Sequence, residues 1–149
     1  MKYWTKVTAG LQQAPEAQQI RQEVFVEEQG FLDEFDEVDA QAFHVVLYED
    51  DRAIATGRLF DGPQPRQKMI GRVAVRKSHR RQGQGERVMA ALEELAAAQN
   101  ALEIKLSAQM TAREFYEKLG YAAHGEIYPD QGCPHIAMTK KIQPTVSNA

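Results

Sequence analysis

The chain has a single cysteine, Cys133, so no internal disulfide can brace it. It has no apolar run near the roughly 20 residues that a bilayer-spanning helix needs, and a membrane partner is not expected. No charged-then-apolar pattern of a secretion signal follows Met1, so cytoplasmic residence is the expectation. Positive charge is not in excess: the formal net charge of -3 argues against general nucleic-acid binding. Repeats and low-complexity blocks are missing, and so is any metal signature, because Cys133-Pro134-His135 is too tight for a tetrahedral site without further ligands. What is present is 149 residues, 43% of them hydrophobic, enough for one domain that buries its own core. We place that domain at 1–142 and read 143–149 as a frayed, flexible tail.

Hydrophobic periodicity divides the chain into alternating strands and helices. Tyr3 to Val7 alternates bulky and polar residues as a strand does, and Pro15 suits the first turn of a helix from about Ala14 to Glu28, stopped by Gly30. Phe43 to Tyr48 and Ala53 to Phe60 form a hairpin pattern around a short polar connection. Met69 to Val75 is a strongly apolar strand. Val88, Leu92, Leu95 and Ala96 then mark one face of an alanine-rich helix starting near Gln84. A strand from Leu102 to Leu106, a short helix from Ala112 to Leu119, a weak strand signal around Tyr121 and a last strand near His135 to Met138 complete the order. The fold class is α+β, a mixed sheet flanked by helices.

Charge is unevenly placed. Glu27, Glu28, Asp33, Glu34, Asp36, Glu37 and Asp39 follow one another without an intervening Lys or Arg, while Arg76, Lys77, His79, Arg80, Arg81 and Arg87 crowd one turn. Such separation suggests an anion-binding pole and a cation-binding pole, although a solvated acidic loop would look the same. Within the basic turn lies Arg80-Arg81-Gln82-Gly83-Gln84-Gly85, between a strand and a helix. Glycines let the backbone approach a ligand closely, and free amides at a helix start favour a phosphate. A dinucleotide-binding oxidoreductase would use a similar turn, but the third glycine of that fingerprint is missing and the preceding strands read as antiparallel.

The loop Arg80-x-x-Gly83-x-Gly85, preceded by Gly71-Arg72-Val73-Ala74-Val75 and followed by Phe115-Tyr116-Glu117-Lys118-Leu119-Gly120-Tyr121, resembles the GNAT superfamily of N-acetyltransferases over roughly Ala42 to Lys140. Val24-Phe25-Val26-Glu27-Glu28-Gln29 and Gly125 to His135 look closer to a group of small bacterial members whose substrates are mostly unassigned. The resemblance implies a mostly antiparallel, twisted sheet that splays at the cofactor strand, and acetyl-CoA as acyl donor. It implies that backbone groups of Val73, Ala74 and Val75 hold the pantetheine arm like an added strand. Arg80 and the amides of Arg81, Gln82, Gly83, Gln84, Gly85 and Glu86 would surround the pyrophosphate. Gln109 stands where many relatives carry an asparagine near the thioester. Tyr116 matches the residue that protonates the departing thiolate, and an ordinary phenol, with pKa near 10, is protonated at neutral pH.

Acyl transfer to a primary amine, on a small molecule or a peptide, also requires something to take the amine's proton. Glu28 leads the candidates because the first helix usually lines the acceptor cleft in that family, followed by Glu27, His44, Glu126 and His135, each acting directly or through a water relay. A solitary cysteine argues against a covalent thiol intermediate, so direct attack in a ternary complex is expected. An acyl-CoA-binding sensor without transfer activity is the alternative, and a homodimer is common in the resembling family.

Overall fold

The computed structural model describes residues 2–145. A seven-stranded sheet in the order β1-β2-β3-β4-β5-β7-β6 forms its centre, built from β1 (Tyr3–Ala9), β2 (Phe43–Glu49), β3 (Arg52–Asp61), β4 (Gln67–Val75), β5 (Glu103–Gln109), β6 (Ala122–Asp130) and β7 (Cys133–Lys141). Among the described residues the β4–β5 pair is parallel and every other neighbouring pair antiparallel. The parallel pair is connected through α2 (Gln84–Ala98), as a parallel crossover demands. A short helix, α3 (Arg113–Lys118), joins β5 to β6. No helix of the described residues is long and apolar enough to cross a membrane.

Side-chain alternation sorts the core into two layers. Val45 and Leu47 of β2 face Val88, Met89 and Leu92 of α2, while Val46 and Tyr48 face Leu11, Ala14 and Ala17 on the opposite side. β2 therefore reads as an unbroken apolar run through Val45, Val46, Leu47 and Tyr48 rather than alternating, because both of its faces are covered. The first helix begins at Pro15 as its sequence suggests, but only α1 (Pro15–Arg21) is α-helical; Gln22–Glu28 continues it in π-helical turns. Apolar spacing marks which face is buried and does not distinguish the two hydrogen-bond registers. The weak strand signal near Tyr121 corresponds to the nine-residue β6, an exposed edge strand whose residues carry almost no burial pattern. Of the segment expected to be a frayed tail, residues 146–149 lie outside the described residues, and Thr145 N–H donates to Ala97 O at 2.9 Å.

The feature that shapes the molecule is a bulge in β4. Thr56 pairs with Ala74 and Arg58 with Gly71, so an extra residue sits in β4 between those points. Arg72 takes a left-handed φ of 53° there, strained for any residue other than glycine. On its other side, β4 stays paired with β5 only from Gln67 to Ile70, after which the strands part. The splay thus begins at Gly71, two residues ahead of Val73. It leaves residues 71–75 of β4 without a neighbouring strand on that side.

A buried ion-pair network anchors the bulge. Arg21, 1% exposed, bonds Glu34 at 2.8 Å and Asp39 at 2.7 Å; Arg58 bonds Asp36 at 2.7 Å and Asp39 at 2.8 Å; Arg72 reaches Glu34 at 3.1 Å and Asp36 at 3.4 Å. Asp36 and Asp39 also cap the short turn Glu37–Ala40 reciprocally. The expected cation-binding pole is thereby largely neutralised: Glu34, Asp36 and Asp39 serve internal arginines, and sequence separation hid their partners. Burial raises the Glu34 pKa against the pull of Arg21 and Arg72. At Asp39 burial also works upward, but Arg21, Arg58 and the Asp36 amide outweigh it and hold the carboxyl down to about 2.

Removing one cation from such a network strands buried carboxylates, so Arg21→Ala is expected to lower the unfolding free energy in urea by about 3–5 kcal/mol. Asp39 has a depressed pKa, so its contribution is complete above its ordinary value of 3.8 and is lost as pH falls toward about 2. Asp39→Asn should accordingly show a shallower loss of stability across that interval than the parent chain, measured by urea titration at each pH.

Candidate active site

The end of β4 and the start of α2 enclose a groove of about 400 Å3, walled by Val73, Ala74, Val75, Arg80, Arg81, Gly83, Gln84, Gly85, Glu86, Phe115 and Tyr116. Gly83 precedes the helix with φ of 78°, a left-handed turn that suits glycine. The Arg87 N–H makes the first helical bond, to Gly83 O at 3.2 Å, so the amides ahead of it have no acceptor within the helix. They lie at the positive end of a 15-residue helix, which fits a pyrophosphate. A Cβ on Gly85 would stand 3.0 Å from Phe115 Cζ, so the glycine admits the aromatic ring against the first turn. Gln82 is exposed and is not a wall of the groove.

A second, larger cleft of about 760 Å3 adjoins this groove where β4 and β5 diverge. Phe25, Phe31, Ile70 and Leu106 give it apolar surface; Gln29, Arg72, Ser107, Gln109 and His135 give it polar groups. Gln29, Val73, Arg80, Ala112 and Tyr116 belong to both spaces. Tyr116 therefore stands at their junction. Its ring is held edge-on by Phe115 and Tyr121, at 5.0 and 5.9 Å between centroids, and burial pushes its phenol up to about 12. Such a group keeps its proton at neutral pH and is present there as a hydrogen donor.

The residues expected from sequence do not all converge. Gln109 lines the large cleft rather than the groove, and its Nε2 donates to Gln29 Oε1 at 2.9 Å. Arg80 Nε donates to Val75 O at 3.0 Å, and its two terminal nitrogens bond both oxygens of Glu28 at 2.6 Å. That fork lowers the Glu28 pKa and occupies its oxygens, and Glu28 is a wall of neither space, so it is poorly suited as the proton acceptor. Glu27 and Glu126 are exposed and lie outside the cleft. His44 is 1% exposed, with Nε2 2.9 Å from Asp39 O, and burial lowers its pKa; it belongs to the ion-pair layer. Of the proton acceptors named from sequence, His135 alone lines the large cleft.

Sequence reading missed Arg72 and Gln131 as parts of this site. Gln131 Oε1 accepts from Leu32 N–H at 2.8 Å, tying the β6–β7 turn to the acidic loop across the cleft mouth. Its only sequence signal was the turn pair Gln131-Gly132, both at positive φ.

A parted parallel strand pair, a phosphate-suited helix start and a half-buried tyrosine between two spaces describe an acyl-CoA-dependent transferase. The acetyltransferase (GNAT) domain family matches residues 11–142, and the chain belongs to that family. It is accordingly an acyltransferase enzyme. It is 37% identical over 134 residues to YjcF of Bacillus subtilis, described as an uncharacterised N-acetyltransferase, with 87% of this chain and 93% of YjcF covered. A solved protein of Lactobacillus plantarum, provisionally described as an N-acetyltransferase, superposes with a TM-score of 0.87 at 32% identity, covering 95% of this chain and 99% of that one. An acyl-CoA N-acyltransferase of Pseudomonas aeruginosa gives a TM-score of 0.78 at 29% identity, with 93% and 99% covered.

Gly85→Ala brings a methyl group against the Phe115 ring and so disturbs the groove from beneath. We expect coenzyme A affinity to fall by roughly tenfold, about 1.4 kcal/mol, by calorimetry. The same overpacking should cost about 1–3 kcal/mol of stability in urea.

Proposed function

We propose that the chain is an acetyl-CoA-dependent N-acetyltransferase that moves the acetyl group to a primary amine by direct attack, with both substrates bound together. The acceptor is a small-molecule amine or a peptide amino group. The observation that carries this reading is Tyr116 on the wall shared by the phosphate-suited groove and the large cleft. Acetyl-CoA supplies the acyl group as an activated thioester. The amides from Arg81 to Glu86 hold the pyrophosphate, and the edge of β4 that faces away from β3 at Val73, Ala74 and Val75 orients the pantetheine arm. Arg80 braces this region by linking Val75 O to Glu28 and steers the phosphates by its charge. Gln29 and Gln109, joined to one another, face the acceptor side. Tyr116 gives its proton to the leaving sulfur. Two separate spaces meeting at that hydroxyl favour simultaneous occupancy over a covalent relay, and Cys133 is a wall of neither.

The test is release of free thiol from acetyl-CoA across a panel of primary amines. Amine-dependent release is expected, and Tyr116→Phe should lower kcat by about 10²–10⁴-fold while acetyl-CoA affinity stays close to that of the parent chain. Tight coenzyme binding without amine-dependent release from any acceptor would instead mark an acyl-CoA sensor.

A further inference from the structure

We propose that His135 is the general base of the transfer, taking the amine's proton at Nε2; this rests on the reading of the large cleft as the acceptor site. His135 opens the buried part of β7 directly opposite Gln109 of β5, at the point where the sheet borders the cleft. Its Nδ1 lies 2.8 Å from Cys133 O. A carbonyl oxygen can only accept, so Nδ1 carries the hydrogen and donates it, which in the neutral ring leaves the lone pair on Nε2. The same bond strengthens when the ring becomes cationic. The imidazole is 7% exposed and stacked on Tyr128 at 6.2 Å and 26°, and Tyr128 is itself pinned by a hydroxyl contact with Ser107. The ring's tautomer and direction are thus fixed by its surroundings. Among the described residues Nε2 has no protein partner, and the open space beside the ring is the cleft that Tyr116 also faces.

The other ionisable groups around this space are placed less well for the task. Glu34 and Asp36 are engaged by Arg72, and Arg80 by Glu28. Asp33, from the acidic loop, and Asp130, at the end of β6, are exposed carboxylates, whereas the His135 ring is buried and fixed in direction. Cys133 on the same strand gives its carbonyl to the ring, and Tyr128 on β6 stacks against it. Tyr116 on α3 and the Arg72 and Arg80 cations complete the charged and titratable lining.

As the amine nitrogen bonds to the acyl carbon its N–H becomes acidic, and that proton passes to His135 Nε2. The carbon–sulfur bond breaks with its electron pair on sulfur, which takes the Tyr116 proton. His135 then returns a proton to solvent and Tyr116 recovers one, so thioester and amine become amide and thiol with nothing oxidised or reduced.

The experiment compares the parent chain with His135→Gln in kcat for thiol release at saturating acetyl-CoA and amine between about pH 5.5 and 9, alongside acetyl-CoA affinity by calorimetry. The parent chain should show an acidic limb in kcat, because a protonated imidazole accepts nothing. His135→Gln should lose about 10²–10³-fold in kcat and lose that limb, with coenzyme affinity unchanged within about twofold. His135→Asn, whose amide can still donate to the Cys133 carbonyl, carries the same expectation and serves if the first variant is unfolded. Added imidazole should restore part of the rate to His135→Ala. A variant that keeps the parent kcat and acidic limb overturns the assignment and leaves the acetyltransferase reading intact. A parent chain without amine-dependent thiol release overturns both.

Discussion

Arg72 sits in left-handed backbone conformation in the middle of a β-strand, and the active region is a consequence of that placement. A non-glycine residue there costs on the order of 1 kcal/mol or more and persists only when its surroundings fix it. Here the side chain does so, through Glu34 and Asp36, and those carboxylates are in turn held by Arg21 and Arg58. The bulge bends β4 away from β5 after Ile70, and the gap it opens is where a chain-like ligand can add to the sheet. Charges buried beside the large cleft thus set the shape of the neighbouring groove.

The same electrostatics sort the acidic residues by task. A run of carboxylates with no basic neighbour in sequence looks like a lure for cations, yet its buried members neutralise arginines that arrive from α1, β3 and β4. Glu28, next to them in sequence, is claimed by Arg80. What the cleft retains is a small set of polar groups: a half-buried phenol that keeps its proton, two side-chain amides bonded to one another, and an imidazole whose Nδ1 lies against a backbone carbonyl. The proposed proton donor and proton acceptor come from α3 and β7, elements that follow the splayed pair in sequence.

Local patterns made much of this legible. The hairpin, the apolar β4, the glycine turn and the alanine-rich α2 each follow from a spacing or a propensity that acts within a few residues, and they coincide with the observed elements closely. The family resemblance supplied the splay and the place of Tyr116. The ion-pair network was hidden because its partners, Arg21 and Arg58 among them, are tens of residues apart and meet only after folding. β6 was faint because an exposed edge strand needs no apolar alternation. His44 and His135 look alike in sequence, each in a strand; only the tertiary structure puts one under Asp39 and the other at the cleft.

The central claim is that the backbone of β4 beyond Ile70 receives the coenzyme's arm as a neighbouring strand would. Residue-resolved amide hydrogen exchange with and without acetyl-CoA measures this most directly. New protection is expected among residues 73–75, with little change from Gln67 to Ile70, where β5 already pairs. Saturating acetyl-CoA that leaves residues 73–75 exchanging as before would contradict it.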